Sequence, residues 1–283
     1  MALIHMDLFS RELMRTVPLT VVLPTDKVVR DVSASEAAGP FKTLYLLHGI
    51  FGSCIDWLSG TPVQRWAEER NLAVVMPSGE NMFYLDHDDA HACYGHFVGE
   101  ELPRLMRRTF PLSAAREDTY IGGLSMGGYG ALRTGLRYPE TFGAIAALSP
   151  VPLMRQIEEA REDAAFPFAR PSYFRAVAGE LGGIRESDAN PVWLARRFAQ
   201  RHAAGLLAEL PRIFCACGTA DSLRPGIVEM CHELEEAGAT IAYEEHAGGH
   251  DWDFWTWGLR RALDWLPLDT AEEGLTSGNI GLS

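Results

Sequence analysis

The chain is poor in several things. Its 283 residues hold no run of about 18 apolar residues, the length a helix needs to cross a bilayer. Positive charge is short: 25 Lys+Arg stand against 38 Asp+Glu, a net charge of −13 with histidine neutral. A chain of that sign repels a phosphate backbone, which argues against a nucleic-acid partner. Cysteine is sparse. Cys54, Cys93, Cys215, Cys217 and Cys231 are odd in number and scattered, as reduced thiols in a cytoplasm would be, and unlike a disulfide framework. The opening Met1-Ala2-Leu3-Ile4-His5-Met6-Asp7 lacks the basic segment and long apolar run of a secretory signal. The expectation is a cytoplasmic protein with no membrane partner. No internal repeat or low-complexity block is visible.

What is present is ordinary globular composition, 47% hydrophobic and 22% charged, enough for a sizeable core. Residues 17–23 are β-branched and bounded by Pro18 and Pro24, which predicts an early edge strand. A turn-rich connector follows at 31–40. Continuous apolar runs at 43–47, 72–77, 119–123, 142–148, 211–217 and 239–243 predict strands buried on both faces. Cys215-Ala216-Cys217 has the look of a metal pair, but its apolar setting reads as buried strand. Helical patterns fall between the runs, at about 61–70, 97–108, 126–138, 225–237 and 252–266. Strands alternating with helices predict an α/β fold, a mostly parallel sheet covered on both faces. Residues 150–205 are far longer than a crossover needs and read as a lid or cap insertion. The chain is thus expected to be one domain, 1–283, with that insertion and a C-terminal tail at 268–283.

Gly123-Leu124-Ser125-Met126-Gly127 carries the sharpest chemistry. A Gly-x-Ser-x-Gly between a predicted strand and a predicted helix meets the demands of a nucleophile elbow. The glycines permit a tight turn, and the helix start offers N–H groups to an anion. A serine hydroxyl is a weak nucleophile and needs a base. The loop after the run at 211–217 supplies Asp221, and Gly248-Gly249-His250-Asp251-Trp252 supplies His250. Parallel strands bring their carboxyl ends to one edge, so Ser125, Asp221 and His250 are expected to converge there. His246 lacks the glycine setting, and Asp251 is better placed to cap the last helix. The oxyanion donors are expected to be the N–H groups of Met126 and of Ile50, with Phe51 the alternative to Ile50. His48, opening that turn, is expected to order it by hydrogen bonding.

These residues resemble the "Putative esterase" branch of the α/β-hydrolases, the esterase D and S-formylglutathione hydrolase-like group, and look most similar to bacterial tributyrin esterases. The shared pattern runs through Leu46-Leu47-His48-Gly49, Asp56-Trp57-Leu58, Tyr84-Leu85-Asp86, Glu101-Leu102-Pro103, the serine motif with Gly128-Tyr129-Gly130, and Gly248-Gly249-His250-Asp251-Trp252. It covers about residues 7–266. The resemblance implies an α/β-hydrolase fold and a serine carboxylesterase acting on short-chain acyl esters. It places nucleophile, acid and base on Ser125, Asp221 and His250, and the oxyanion donors on Ile50 and Met126. Feruloyl or acetylxylan esterase, S-formylglutathione thioesterase and acyltransferase activities use the same triad and stand as alternatives. Family members often form dimers or tetramers.

Trp57, Tyr84 and Asp86 are candidate substrate contacts. Residues 86–96 hold Asp86, His87, Asp88, Asp89, His91 and His96, but their spacing fits no standard metal site. No metal or other cofactor is expected, and the partner is a small-molecule ester. Acid in 150–205 and in 86–89 predicts a negative rim that favours neutral esters.

Overall fold

The computed structural model describes residues 1–27, 39–203 and 209–269. Most of the connector expected at 31–40 and of the tail expected at 268–283 lies outside them. Eight strands form one sheet: β1 (Ala2–Ser10), β2 (Arg15–Leu23), β3 (Lys42–Leu47), β4 (Leu72–Pro77), β5 (Thr119–Leu124), β6 (Ala144–Leu148), β7 (Arg212–Gly218) and β8 (Ile241–His246). Their spatial order is β1-β2-β4-β3-β5-β6-β7-β8. The strands from β4 to β8 in that order run parallel, while β2 is antiparallel to both β1 and β4.

The early strand is not at the edge. β1 covers it, a strand whose otherwise polar outer face is interrupted by Leu3 and Phe9. Pro18 is tolerated inside the sheet for a local reason. The β2–β4 ladder spans only residues 19–22 of β2, so no ladder bond is asked of its nitrogen, while its carbonyl accepts from Ser78 N–H (3.1 Å).

The apolar runs become strands because both of their faces are covered. Successive side chains alternate between two cores: Tyr45, Leu47, Val75 and Ile121 enter one, Leu44, Leu46, Val74 and Tyr120 the other. The covering helices include α1 (Asp56–Gly60), α2 (Val63–Glu68), α3 (Leu102–Thr109), α4 (Met126–Arg137) and, in the insertion, α5 (Leu153–Glu159), α6 (Pro171–Ala178) and α7 (Pro191–Ala203). α8 (Arg224–Glu236) and α9 (Trp252–Trp265) complete the set. The insertion is anchored: Phe174, Val177, Ile184, Val192 and Ala195 are buried in the same core as the body. A π-helical turn at Phe97–Glu101 precedes α3.

Candidate active site

Ser125 stands between β5 and α4 with φ 54° and ψ −117°. That region is costly for a residue with a side chain, and surrounding contacts hold it. Its N–H donates to Leu148 O (2.8 Å), and its carbonyl accepts from Tyr129 N–H (3.0 Å) and Val151 N–H (3.2 Å). The flanking glycines answer to space. A Cβ on Gly123 would lie 2.5 Å from Gly127 O, and one on Gly127 would lie 2.5 Å from the carbonyl oxygens of both Leu47 and His48. α4 can start this close to β3 and β5 only with glycine there.

His250 meets both of its expected partners. Nε2 lies 2.9 Å from Ser125 Oγ, and Nδ1 lies 2.8 Å from Asp221 Oδ2. Asp221 is buried, and its other oxygen accepts Leu223 N–H (2.9 Å). Burial pushes its carboxyl up, but the hydrogen bonds from His250 and Leu223 N–H pull harder, leaving the pKa below the usual aspartate value. The carboxylate is therefore an acceptor only at neutral pH, which puts the imidazole proton on Nδ1 and turns the Nε2 lone pair to Ser125. Asp251 caps α9 through Phe254 N–H (3.0 Å), and His246 stacks on Trp257 with centroids 4.4 Å apart. Neither joins the cluster.

The turn after β3 faces the serine. His48 is buried, accepts Gly79 N–H at Nε2 (2.8 Å), and donates from Nδ1 to Gly49 O (2.7 Å). Burial lowers its pKa, so it is a neutral ring that orders the turn. Phe51 N–H is committed to Asn81 Oδ1 (2.8 Å), so of the two N–H groups expected to serve the oxyanion from this turn it is the engaged one. The N–H of Met126 heads α4.

Of the three residues expected to touch substrate, two are buried side chains and the third is ion-paired. Trp57 is buried in the core, its Nε1–H donating to Leu47 O (3.0 Å). Tyr84 is fully buried, its hydroxyl donating to His48 O (3.1 Å). Asp86 pairs with Arg133 (2.7 Å) and with His96 (3.2 Å). Sequence reasoning missed Asn81 and Arg133; the only signal was a strongly polar residue in an otherwise apolar or turn context.

The donor atoms of Asp86, Cys93 and His96 lie within 4.8 Å of one another. Arg133 already places a positive charge on that carboxylate. The Cys93 thiol is pushed up to about 12 by burial and by its hydrogen bond to Asp88. The acid expected of the insertion is balanced there by arginine. Residues 150–205 carry at least as many arginines as carboxylates, and Glu158, Glu159 and Glu162 pair with Arg185, Arg155 and Arg175.

Fold and site together define an α/β-hydrolase. The fluorophosphonate-binding serine hydrolase F of Staphylococcus aureus has a similar structure: TM-score 0.77 at 26% identity, covering 94% of this chain and 98% of that one. A family model described as "Putative esterase" matches residues 10–266, and the chain belongs to that family. An acetyl esterase of Caldicellulosiruptor saccharolyticus is 37% identical over 266 residues, 94% of this chain and 98% of that protein. An S-formylglutathione hydrolase of Paracoccus denitrificans is 31% identical over 134 residues, 40% of this chain and 47% of that protein. The chain is a carboxylic ester hydrolase of the serine type. No helix among the described residues is long and apolar enough to cross a membrane.

Proposed function

We propose that the chain hydrolyses short-chain acyl esters, acetyl esters foremost, through an acyl-enzyme on Ser125. The observation that carries this reading is the bridge made by His250, 2.9 Å from Ser125 Oγ and 2.8 Å from Asp221 Oδ2. The acetyl esterase relative supports the acyl length.

His250 Nε2 takes the hydroxyl proton as Ser125 Oγ attacks the ester carbonyl. Asp221 keeps the ring in the Nδ1–H tautomer and stabilises the imidazolium that forms. The N–H groups of Ile50 and Met126 receive the oxyanion, and each such donor is worth about 3 kcal/mol in the transition state. His250 then hands its proton to the departing alcohol. Water, deprotonated by the same nitrogen, releases the acid. Residues 150–205 act as a cap on a single domain. The free thiols support a reducing compartment, the cytoplasm.

Ser125→Ala is expected to lower turnover of 4-nitrophenyl acetate about 10⁶-fold and to abolish labelling by a fluorophosphonate probe. Near-normal hydrolysis by that variant would overturn the reading.

A further inference from the structure

His250 follows two glycines, and Gly248 has φ 150°. Its side chain is 30% exposed. Hydrogen bonds to Asp221 and Ser125 fix the two ring nitrogens but leave the ring free to tilt about the line between them. Trp255 closes one flank. Its ring and the His250 ring meet edge-to-face, with centroids 5.0 Å apart and planes at 85°. Trp255 meets Trp252 at 5.3 Å and 90°, and Trp252 meets Trp57 at 5.5 Å and 89°. The four rings form one ladder, each nearly perpendicular to the next, which is a packing that aromatic quadrupoles favour.

The elements explain the ladder. Trp252 and Trp255 stand three residues apart at the start of α9, so their rings leave one face of the helix. Trp57 belongs to α1, and its Nε1–H donates to the carbonyl of Leu47, the last residue of β3, which leads into the turn carrying Ile50. Helices α1 and α9 also meet where Thr256 Oγ1 donates to Gly60 O (3.1 Å). At Gly60 the ladder has no slack, because a Cβ there would lie 2.3 Å from Trp252 Cε3. Trp57 and Trp255 are both buried. The Trp255 Nε1–H has no hydrogen-bond partner among the described residues. A buried donor left unpaired costs stability that an aliphatic side chain would not cost. What the indole contributes therefore lies in its ring contacts.

We propose that Trp255, backed by Trp252 and Trp57, is a positioning residue that holds the imidazole of His250 in line with Ser125 and ties it to the strand end before the oxyanion turn. This rests on the reaction proposed at Ser125 and adds a residue to it. A shift of about 1 Å takes Nε2 out of line with the hydroxyl, and misplacement of that size costs up to about 100-fold in rate. Attack and deacylation use the same nitrogen, so loss of the wall slows both and leaves substrate binding alone.

The test measures kcat and KM for 4-nitrophenyl acetate, per folded molecule, with the folded fraction taken from urea unfolding. Trp255→Leu is expected to lower kcat about tenfold with KM within about twofold of wild type, and to slow fluorophosphonate labelling by a similar factor. Trp255→Phe, which keeps a ring against His250, is expected to recover most of the loss. Gly60→Ala, which displaces Trp252 and leaves His250 and Trp255 in place, is expected to lower kcat in the same way by a smaller factor. Trp257→Leu removes another tryptophan of α9, one that stacks on His246, and is expected to keep the wild-type kcat. A wild-type kcat in Trp255→Leu overturns the proposal. So does a rise in KM with kcat intact, because Trp255 would then be a substrate contact. Equal losses in Trp255→Phe and Trp255→Leu, or in Trp257→Leu and Trp255→Leu, also overturn it. Should Trp255→Leu fail to fold, an unchanged kcat in Gly60→Ala overturns it. Labelling tells the two readings apart: unlabelled wild type faults the Ser125 assignment, while labelled wild type with an unchanged kcat in the variants faults the ladder alone.

Discussion

Arg133 projects from α4 with its guanidinium wholly out of water, between Asp86 and Asp188 at 2.7 Å each. One side chain thus ties the serine-bearing helix to the loop behind the site and to the insertion. Burial pushes the Asp86 carboxyl up, but the charge and hydrogen bonds of Arg133, with His96 N–H, bring it below the usual aspartate value. A pKa lower in the folded state than in the unfolded one stabilises the fold at neutral pH, and that contribution is lost as pH falls through the folded value. Asp86→Asn is expected to cost about 3–5 kcal/mol at neutral pH by urea unfolding. The gap to wild type closes in acid below the ordinary aspartate pKa of about 3.9. A gap equal at neutral and strongly acid pH counts against this account. Ser125, Asp221 and His250 were legible in the sequence because glycine punctuation marks loops at strand ends. The surroundings of Trp57, Tyr84 and Asp86 were not legible: polar and aromatic residues near a cleft look alike in sequence whether they face it or back it.

Among the elements, the turn from β5 into α4 has the least room to change. Gly127→Ala would drive a methyl group into the carbonyl oxygens of Leu47 and His48, both backbone atoms that cannot rotate away. The expected cost is about 3 kcal/mol in thermal or urea unfolding, with a loss of esterase activity larger than the unfolded fraction explains. A variant with wild-type stability and rate would show that the turn can open. The neighbouring π-helical turn has a quieter purpose. It ends in Glu101, whose buried carboxylate accepts Ser10 Oγ (2.5 Å) and the N–H groups of Arg11 and Glu12, closing the β1–β2 connection. The inner strands could be read from their apolar runs, since burial on both faces leaves a continuous signature. β1 could not, because an edge strand with one wet face carries only alternation, and Leu3 and Phe9 blur that.

Across the whole molecule, charge acts at long range. Glu158, Glu159 and Glu162 of the insertion are paired with arginines, yet the net charge remains −13. An acidic ester should therefore be disfavoured against its neutral analogue by the overall field, which salt screens over about 8 Å at physiological strength. The neutral-to-acidic ratio of kcat/KM is expected to fall as ionic strength rises; a ratio indifferent to salt would point to local contacts instead. The sheet order has a further consequence, one of timing. Ser125 and His250 are 125 positions apart. On a ribosome, the glycine turn around the serine emerges while β7, β8 and the histidine loop are still unmade. The half-built sheet ends at β6 and exposes an unpaired edge. In the reaction proposed for Ser125 and His250, hydrolytic competence follows the last two strands, so an active copy is a completed one.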